Sequence, residues 1–281
     1  MTPARIAALN VYPVKGCGGV ATAVANVRET GLALHGVGDR EWMVVDGTGR
    51  FVTQREFPRL ALVHVAAVDG ALTLTAPDAT PLTISLAPAN GAARDVVVWH
   101  SDVRGFDAGD AAADWLSARL AADVRLVRFD PSRPRICNPE YAGGSGAHTM
   151  FADGYPILVI GASSLVALNE RLAERGDYML PMDRFRPNVV VEGLPPFEED
   201  HLATIASDGV MLKLVKPCVR CQVTTTNQQT AAVGVEPLRT LGEFRMDERM
   251  GGVTFGMNAV VVGGAGRTLT AGARATVEYR F

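Results

Sequence analysis

Over its first hundred residues the chain breaks into short β-branched runs separated by Gly, Pro and Asp at hairpin spacing. That pattern restricts it to a strand-dominated fold. Ile6 to Tyr12, Ala21 to Arg28, Trp42 to Asp46, Leu60 to Val68, Leu72 to Ala76, Leu82 to Leu86 and Asp95 to Trp99 read as strands, and Asp46-Gly47-Thr48-Gly49 is a turn signal. Spacing this regular points to a barrel or a sandwich. The period changes at Asp110 to Leu120, a helix with Asp107 or Asp110 as cap. Beyond an irregular stretch rich in Pro, Gly and Arg (Arg133 to His148), Ile157 to Ile160 reads as a strand. A helix follows it, with Ser163 or Ser164 as cap. Val189 to Val191, Val210 to Val215, Ala259 to Val262 and Ala275 to Tyr279 are further strands, with a helix at Pro237 to Arg245. The expectation is a mainly β chain with a few helices (α+β), divided into 1–125 and 126–281.

Composition excludes several functions. A formal charge of −3 gives no overall attraction to a nucleic acid polymer, so any anion site must be built from local Arg and Lys. No run of ~18 apolar residues predicts a membrane span. Met1 to Tyr12 lacks the apolar core of a signal peptide, and four Cys without a leader suggest free thiols in a cytoplasmic, reducing setting.

The densest chemistry lies in Lys216-Pro217-Cys218-Val219-Arg220-Cys221, followed by Gln222-Val223-Thr224-Thr225-Thr226. Neighbouring positive charge favours a thiolate, which suits a soft metal. A structural zinc site needs a second Cys pair or His ligands, but Cys17 and Cys137 are solitary and the five His show no ligand spacing. The β-branched residues after Cys221 read as a strand, whereas a thioredoxin-like pair opens a helix. The local readings are two packing Cys, a redox-thiol pair or a zinc or iron–sulfur site that gathers the distant Cys17 and Cys137, or one Cys giving a single protein bond to a metal whose other ligands belong to an organic cofactor.

Other candidates are scattered. Tyr12-Pro13-Val14-Lys15-Gly16-Cys17-Gly18-Gly19 is a Gly-rich turn whose backbone N–H groups and Lys15 could hold an anion, or a surface turn with a solvated Lys. Arg40 is either an ion-pair partner of Asp39 or Glu41 or a site residue. Arg186, between Phe185 and Pro187 ahead of an apolar strand, is placed to fork onto a phosphate or to sit in a buried ion pair. Asp153 reads as a turn residue.

Taken in order, Tyr12-Pro13-Val14-Lys15, Asp39-Arg40-Glu41-Trp42, Thr53-Gln54-Arg55, Phe185-Arg186-Pro187-Asn188 and Cys218-Val219-Arg220-Cys221 with Thr224-Thr225 resemble the MOSC family. The likeness is to its two-part form, in which an N-terminal β-barrel domain precedes a barrel-like MOSC domain. This branch includes the amidoxime-reducing components and relatives that detoxify N-hydroxylated bases. The resemblance implies a molybdenum cofactor, a pterin dithiolene with a terminal phosphate. Cys221 takes the position of the metal ligand. Lys15, Arg40 and Arg186 take those of the phosphate and pterin contacts, with Val219 and Arg220 beside the pterin. Asp153 is a candidate for proton handling. The implied activity is reduction of N–OH to N–H in a small substrate. Electrons would come from a separate ferredoxin-like or b-type cytochrome protein with its reductase. The alternative is a carrier of the cofactor or of sulfur as a Cys persulfide. Two departures stand out: Gly16 where relatives often carry Ser, and Asn227-Gln228-Gln229-Thr230 where they are rich in Asp and Pro.

Overall fold

The computed structural model describes residues 4–68, 70–87 and 91–280; Met1 to Pro3, part of the stretch read above for a leader, lie outside them. Strands dominate. Among the described residues the α-helices are Asp110–Leu120, Pro139–Ala142, Ala162–Glu174 and Leu238–Phe244, and no helix is long and apolar enough to cross a membrane.

The largest sheet has nine strands. Its order is Thr276–Tyr279, Leu202–Ser207, Val210–Val219, Gly252–Gly263, Ile157–Gly161, Val189–Glu192, Arg5–Val11 and Val20–Thr22, with Met246–Asp247 paired to Gly252–Gly263. Neighbours are antiparallel except Ile157–Gly161 and Val189–Glu192, which run parallel. A parallel pair needs a crossover, and the helix Ala162–Glu174 supplies it. The chain's first strand therefore completes a sheet made mostly of the second half, with Leu9 opposite Val189.

A five-stranded sheet joins Ala93–Val98, Ser101–Asp107, Val124–Phe129, Trp42–Asp46 and Val14–Lys15. The meander His64–Val68, Ala71–Thr75 and Leu82–Ser85 lies beside it in the chain, and a four-stranded sheet runs in the order Thr268–Thr270, Val24–Arg28, Gly31–Leu34 and Val37–Gly38. Burial follows the two-residue period of a pleated strand: Val65 and Ala67 point inward while His64, Ala66 and Val68 stay exposed. One core gathers Ile6, Leu9, Val159, Val189, Leu212 and Met257. Another packs Leu116 and Leu120 of the first helix against Val44 and Leu126.

Four local expectations differ from what is observed. The first helix has Gly109 at its N-cap, so neither Asp107 nor Asp110 caps it. Ala21 to Arg28 splits at Ala23 into Val20–Thr22 and Val24–Arg28, which enter different sheets. Leu60 belongs to the 3-10 turn Pro58–Leu62, whose Pro supplies a ready-set φ at its start. Neither Ser163 nor Ser164 caps its helix: Ser163 donates to Leu194 O at 2.7 Å, and Ser164 donates to Glu199 Oε2 at 2.7 Å. The buried Glu199 carboxylate also accepts the Gly161 N–H at 3.0 Å, anchoring the helix start from a distant turn.

Candidate functional site

A cavity of about 350 Å³ opens where the five-stranded sheet, the turn Thr53 to Phe57 and the end of the strand Val210–Val219 meet. All seven residues singled out from the sequence line it: Lys15, Arg40, Asp153, Arg186, Val219, Arg220 and Cys221. Gln54, Trp99, Arg184 and Lys216 join them.

Backbone irregularities place the Cys segment. The pairing of Val210–Val219 with Gly252–Gly263 shifts register between Leu214 and Lys216 and again between Pro217 and Val219. Bulges re-aim side chains, and Pro is tolerated in strands at such points because no ladder bond is lost. The Asn258 amide covers the gap by donating to Lys216 O at 3.2 Å and Pro217 O at 3.4 Å. Immediately after Cys221 the chain turns into the 3-10 helix Gln222–Thr225 rather than the expected strand. Thr224 and Thr225 donate their hydroxyls to Cys221 O and Gln222 O, at 2.9 and 2.8 Å, and this local back-bonding outweighs their β preference.

The two thiols differ. Cys218 Sγ accepts from Arg220 Nη1 at 2.9 Å and packs against the cluster containing Leu158, Phe185 and Phe255. Cys221 Sγ makes no hydrogen bond among the described residues, although the residue lines the cavity. Cys17 and Cys137 are buried in two clusters separate from that of Cys218. Burial pushes the Cys17 thiol up to about 12 and the Cys137 thiol up to about 11. In cofactor-free protein near pH 8, a disulfide thiol reagent should therefore titrate two of the four Cys quickly and the other two only after unfolding. Rapid reaction of a third thiol in folded protein would contradict this placement.

The cations arrive from several segments and are held differently. Arg40 and Arg186 both take left-handed backbone, with φ of 49° and 56°. That conformation costs about 1–2 kcal/mol for a non-Gly residue, and strain of this kind concentrates at functional sites. Each guanidinium lies 4.3 Å from the centroid of the Tyr12 ring. Burial, opposed by the two guanidinium charges, pushes the Tyr12 hydroxyl up to about 12, so the ring stays neutral between them. Arg40 is paired with Asp39 at 2.5 Å, as its neighbours in sequence suggested, and also donates to Asn188 Oδ1 at 3.2 Å. Arg186 has no carboxylate partner among the described residues. It is 8% exposed, its Nη1 reaches Gln228 Oε1 at a long 3.4 Å, and its Nη2 has no partner. Nε and Nη1 of Arg184 and Nε of Arg220 are likewise buried without partners.

Lys15 donates to Asp153 Oδ1 at 2.5 Å, and Trp99 Nε1 donates to the same oxygen at 2.9 Å. The Asp153 side chain remains 72% accessible on the cavity side. The protein packed around it works against its charge. The Lys15 charge and the hydrogen bonds from Lys15 and Trp99 outweigh that and hold its carboxyl well below the usual range. Burial lowers the Lys15 pKa, with Asp153 opposing. Gly16, where relatives often carry Ser, has φ of 85°, a conformation that suits glycine, and its carbonyl accepts from Gln54 at 2.7 Å.

Sequence reasoning missed Arg184, Trp99 and Gln228. Gln228 exchanges hydrogen bonds with Gln54 at 3.0 and 3.1 Å, tying the two halves of the chain together beside Arg186. No motif spacing announces such contacts. Among the described residues no group of three or more His, Cys, Asp or Glu stands close enough to hold a metal ion. Here, then, the chain offers a thiol and several donors to an anion, not a full set of metal ligands.

A strand-rich fold with a Cys-bearing strand end over a cationic cavity defines a class of two-part β proteins. Comparison with known proteins places the chain within it. Residues 3–123 match the MOSC N-terminal beta barrel domain, and residues 146–275 match the MOSC domain. Mitochondrial amidoxime reducing component 2 of Rattus norvegicus is 35% identical over 243 residues, covering 84% of this chain and 71% of the relative. Mitochondrial amidoxime-reducing component 1 of Homo sapiens is 33% identical over 251 residues, covering 85% and 72%. The chain belongs to the MOSC family, in the two-domain form it shares with the amidoxime-reducing components.

Proposed function

We propose that this protein is a molybdenum-cofactor-dependent reductase of small N-hydroxylated compounds, supplied with electrons by a separate redox protein. The observation that carries the reading is Arg186: a permanently charged, buried side chain with an unpartnered Nη2 and no carboxylate partner among the described residues, in a cavity that also holds the unbonded thiol of Cys221. A buried cation without a counter-ion is costly, and an anionic ligand removes the penalty. The residues therefore fit a cofactor that brings both a phosphate and a thiophilic metal. Further support comes from the MOSC domains and from relatives named for reducing amidoximes.

In this reading Arg186 and Arg40 hold the phosphate, Lys15, paired with Asp153, is a cofactor contact along the pterin, and Arg184 adds donors next to Arg186. Val219 and Arg220 border the pterin, with Val219 contributing backbone. Cys221 gives the one protein bond to the metal. When bound, the cofactor supplies two-electron chemistry at molybdenum. The reaction takes R–NH–OH, two electrons and two protons to R–NH₂ and water, with the N–O bond broken and the electrons drawn from the external donor. Asp153, held ionised, is a hydrogen-bond acceptor that orients the substrate N–H or O–H. Lys15 keeps it in that state and is the proton-bearing member of the pair. Trp99 fixes its position.

The test is steady-state reduction of benzamidoxime by protein made in a host that synthesises molybdenum cofactor, with reduced viologen or a reductase and carrier as donor. Turnover only when donor and molybdenum are both present is expected. Stoichiometric release of cofactor to an acceptor protein with no turnover would establish the carrier instead.

A further inference from the structure

The cavity is more cationic than its deep end requires. Seven Lys and Arg side chains line it against the single carboxylate of Asp153. Lys15 is compensated by Asp153 and Arg40 by Asp39. Arg184, Arg186 and Arg220 are the buried or half-buried cations with orphaned donors. Arg55 is different. It is half-exposed, and its guanidinium makes no hydrogen bond or ion pair among the described residues, so its five N–H donors face a ligand or water.

Arg55 is nevertheless held in place. Its backbone N–H donates to Thr53 Oγ1 at 3.1 Å, and Thr53 O accepts from Phe57 N at 2.8 Å and Glu56 N at 3.2 Å. Gln54, on its other side, is anchored to Gly16 and Gln228. The turn is thus closed by its own hydrogen bonds and tied to both halves of the fold. The Arg55 guanidinium lies over the Trp99 ring, 4.7 Å from its centroid, and Trp99 in turn packs on Phe51 at 5.1 Å. Trp99 is 37% exposed at a hairpin tip with φ of 58°, strain that its hydrogen bond to Asp153 and the two stacking contacts sustain. A stacked guanidinium with free donors is a pre-organised fork for a carboxylate or phosphate, next to the carboxylate assigned above to the reacting end.

We infer that Arg55, stacked on Trp99 at the outer wall of the cavity, is a specificity residue that selects N-hydroxylated substrates carrying an anionic group remote from the N–O bond. The inference rests on the reading of this site as an N-hydroxyl reductase. Asp153 points the N–OH end inward, and Arg55 receives the charged end with the Trp99 edge between them. Because the fork is only partly buried, salt weakens its contribution and water competes with it.

The test uses molybdenum-loaded protein and three probes: benzamidoxime, 4-carboxybenzamidoxime and its neutral 4-carboxamide isostere. Wild type should favour the carboxylate in kcat/KM, and added salt should erode that preference. A partly exposed charge-assisted pair is worth about tenfold, so Arg55→Ala should raise KM for the carboxylate by roughly that factor. KM for the two neutral probes and kcat for all three should move less than about twofold, since the fork sits away from the reacting atoms. Arg55→Lys should recover part of the loss, because a point charge replaces the fork. Quenching of tryptophan fluorescence on titration with the carboxylate, without donor, should weaken in parallel in Arg55→Ala and disappear in Trp99→Phe.

A wild type indifferent to the carboxylate, or an equal change for charged and neutral probes in Arg55→Ala, would overturn the inference. So would loss of molybdenum from Arg55→Ala, which would make Arg55 a cofactor contact. Failure of loaded wild type to reduce any of the probes would instead remove the reductase reading, and this inference with it.

Discussion

Cys221→Ser should strip the protein of molybdenum, whereas Cys218→Ser should keep most of it. The two sulfurs have different surroundings. Cys218 Sγ already accepts from Arg220 at 2.9 Å and is packed against Leu158, Phe185 and Phe255, so its surroundings satisfy it as a structural thiol. Cys221 Sγ has no hydrogen-bond partner among the described residues and lines the cavity. A serine hydroxyl is a hard, neutral donor at physiological pH and cannot replace a thiolate on a soft metal. Cys218→Ser shortens the side chain slightly and places a hydroxyl next to Arg220, which can still donate to it. Its cost should fall on stability, on the order of 1 kcal/mol. Metal analysis of purified protein from a cofactor-producing host decides the matter. Equal loss from both variants would overturn the assignment, as would zinc in place of molybdenum in the wild type. The turnover of Cys221→Ser on benzamidoxime should fall to background for the same reason.

The asymmetry between the two Cys was only partly legible in the sequence. Motif order drew attention to Cys221, but the bulges that turn the segment toward the cavity depend on pairing with Gly252–Gly263, some forty residues downstream in the chain. The strand-rich class was legible because β-branched runs and turn residues act locally, and the helix Asp110–Leu120 kept the bounds its periodicity suggested. Sheet membership was not. Nothing near Ile6 says that its strand will pair with Val191, because that choice is made by burying one face against Val159, Leu212 and Met257. The run after Cys221 misled because β-propensity was read without asking where the Thr hydroxyls bond. Arg186 could be flagged from its neighbours Phe185 and Pro187, and Arg40 from the family motif around it. Arg184 belonged to no motif, and Gln228 became visible only when Gln54 stood opposite it.

Asn188→Ala should be among the most damaging single substitutions, although Asn188 carries no charge and touches no reacting atom in the proposed chemistry. Its amide donates to Asp39 Oδ1 at 2.8 Å and to Asn10 O at 3.2 Å. Its carbonyl oxygen accepts from Leu158 N at 3.1 Å and from Arg40 Nη1 at 3.2 Å. One side chain, 1% exposed, thus joins the first strand, the strand Ile157–Gly161 and the Asp39-Arg40 turn. Alanine removes a donor from a buried carboxylate and an acceptor from a backbone N–H, and leaves Arg40 with less to orient it. Loss of partners for buried polar and charged groups predicts a cost of about 3 kcal/mol, or roughly 6–12 °C in Tm for a chain of this size. Asn188→Asp separates the network from simple packing. It sets a second carboxyl against Asp39, so one of the pair must bind a proton that the unfolded chain releases more readily. A carboxyl whose folded pKa is raised contributes stability at low pH and loses it as pH rises through that pKa. The deficit of Asn188→Asp relative to wild type should therefore shrink as pH is lowered from about 8 to about 5, while the deficit of Asn188→Ala should stay nearly constant. Denaturant midpoints of the three proteins across that range provide the measurement. A pH-independent gap for Asn188→Asp, or an Asn188→Ala cost below about 0.5 kcal/mol, would show that the Asp39 carboxylate does not depend on this amide. Molybdenum retention should decline with stability in both variants, because the same amide that satisfies Asp39 also holds the Arg40 guanidinium at the cavity.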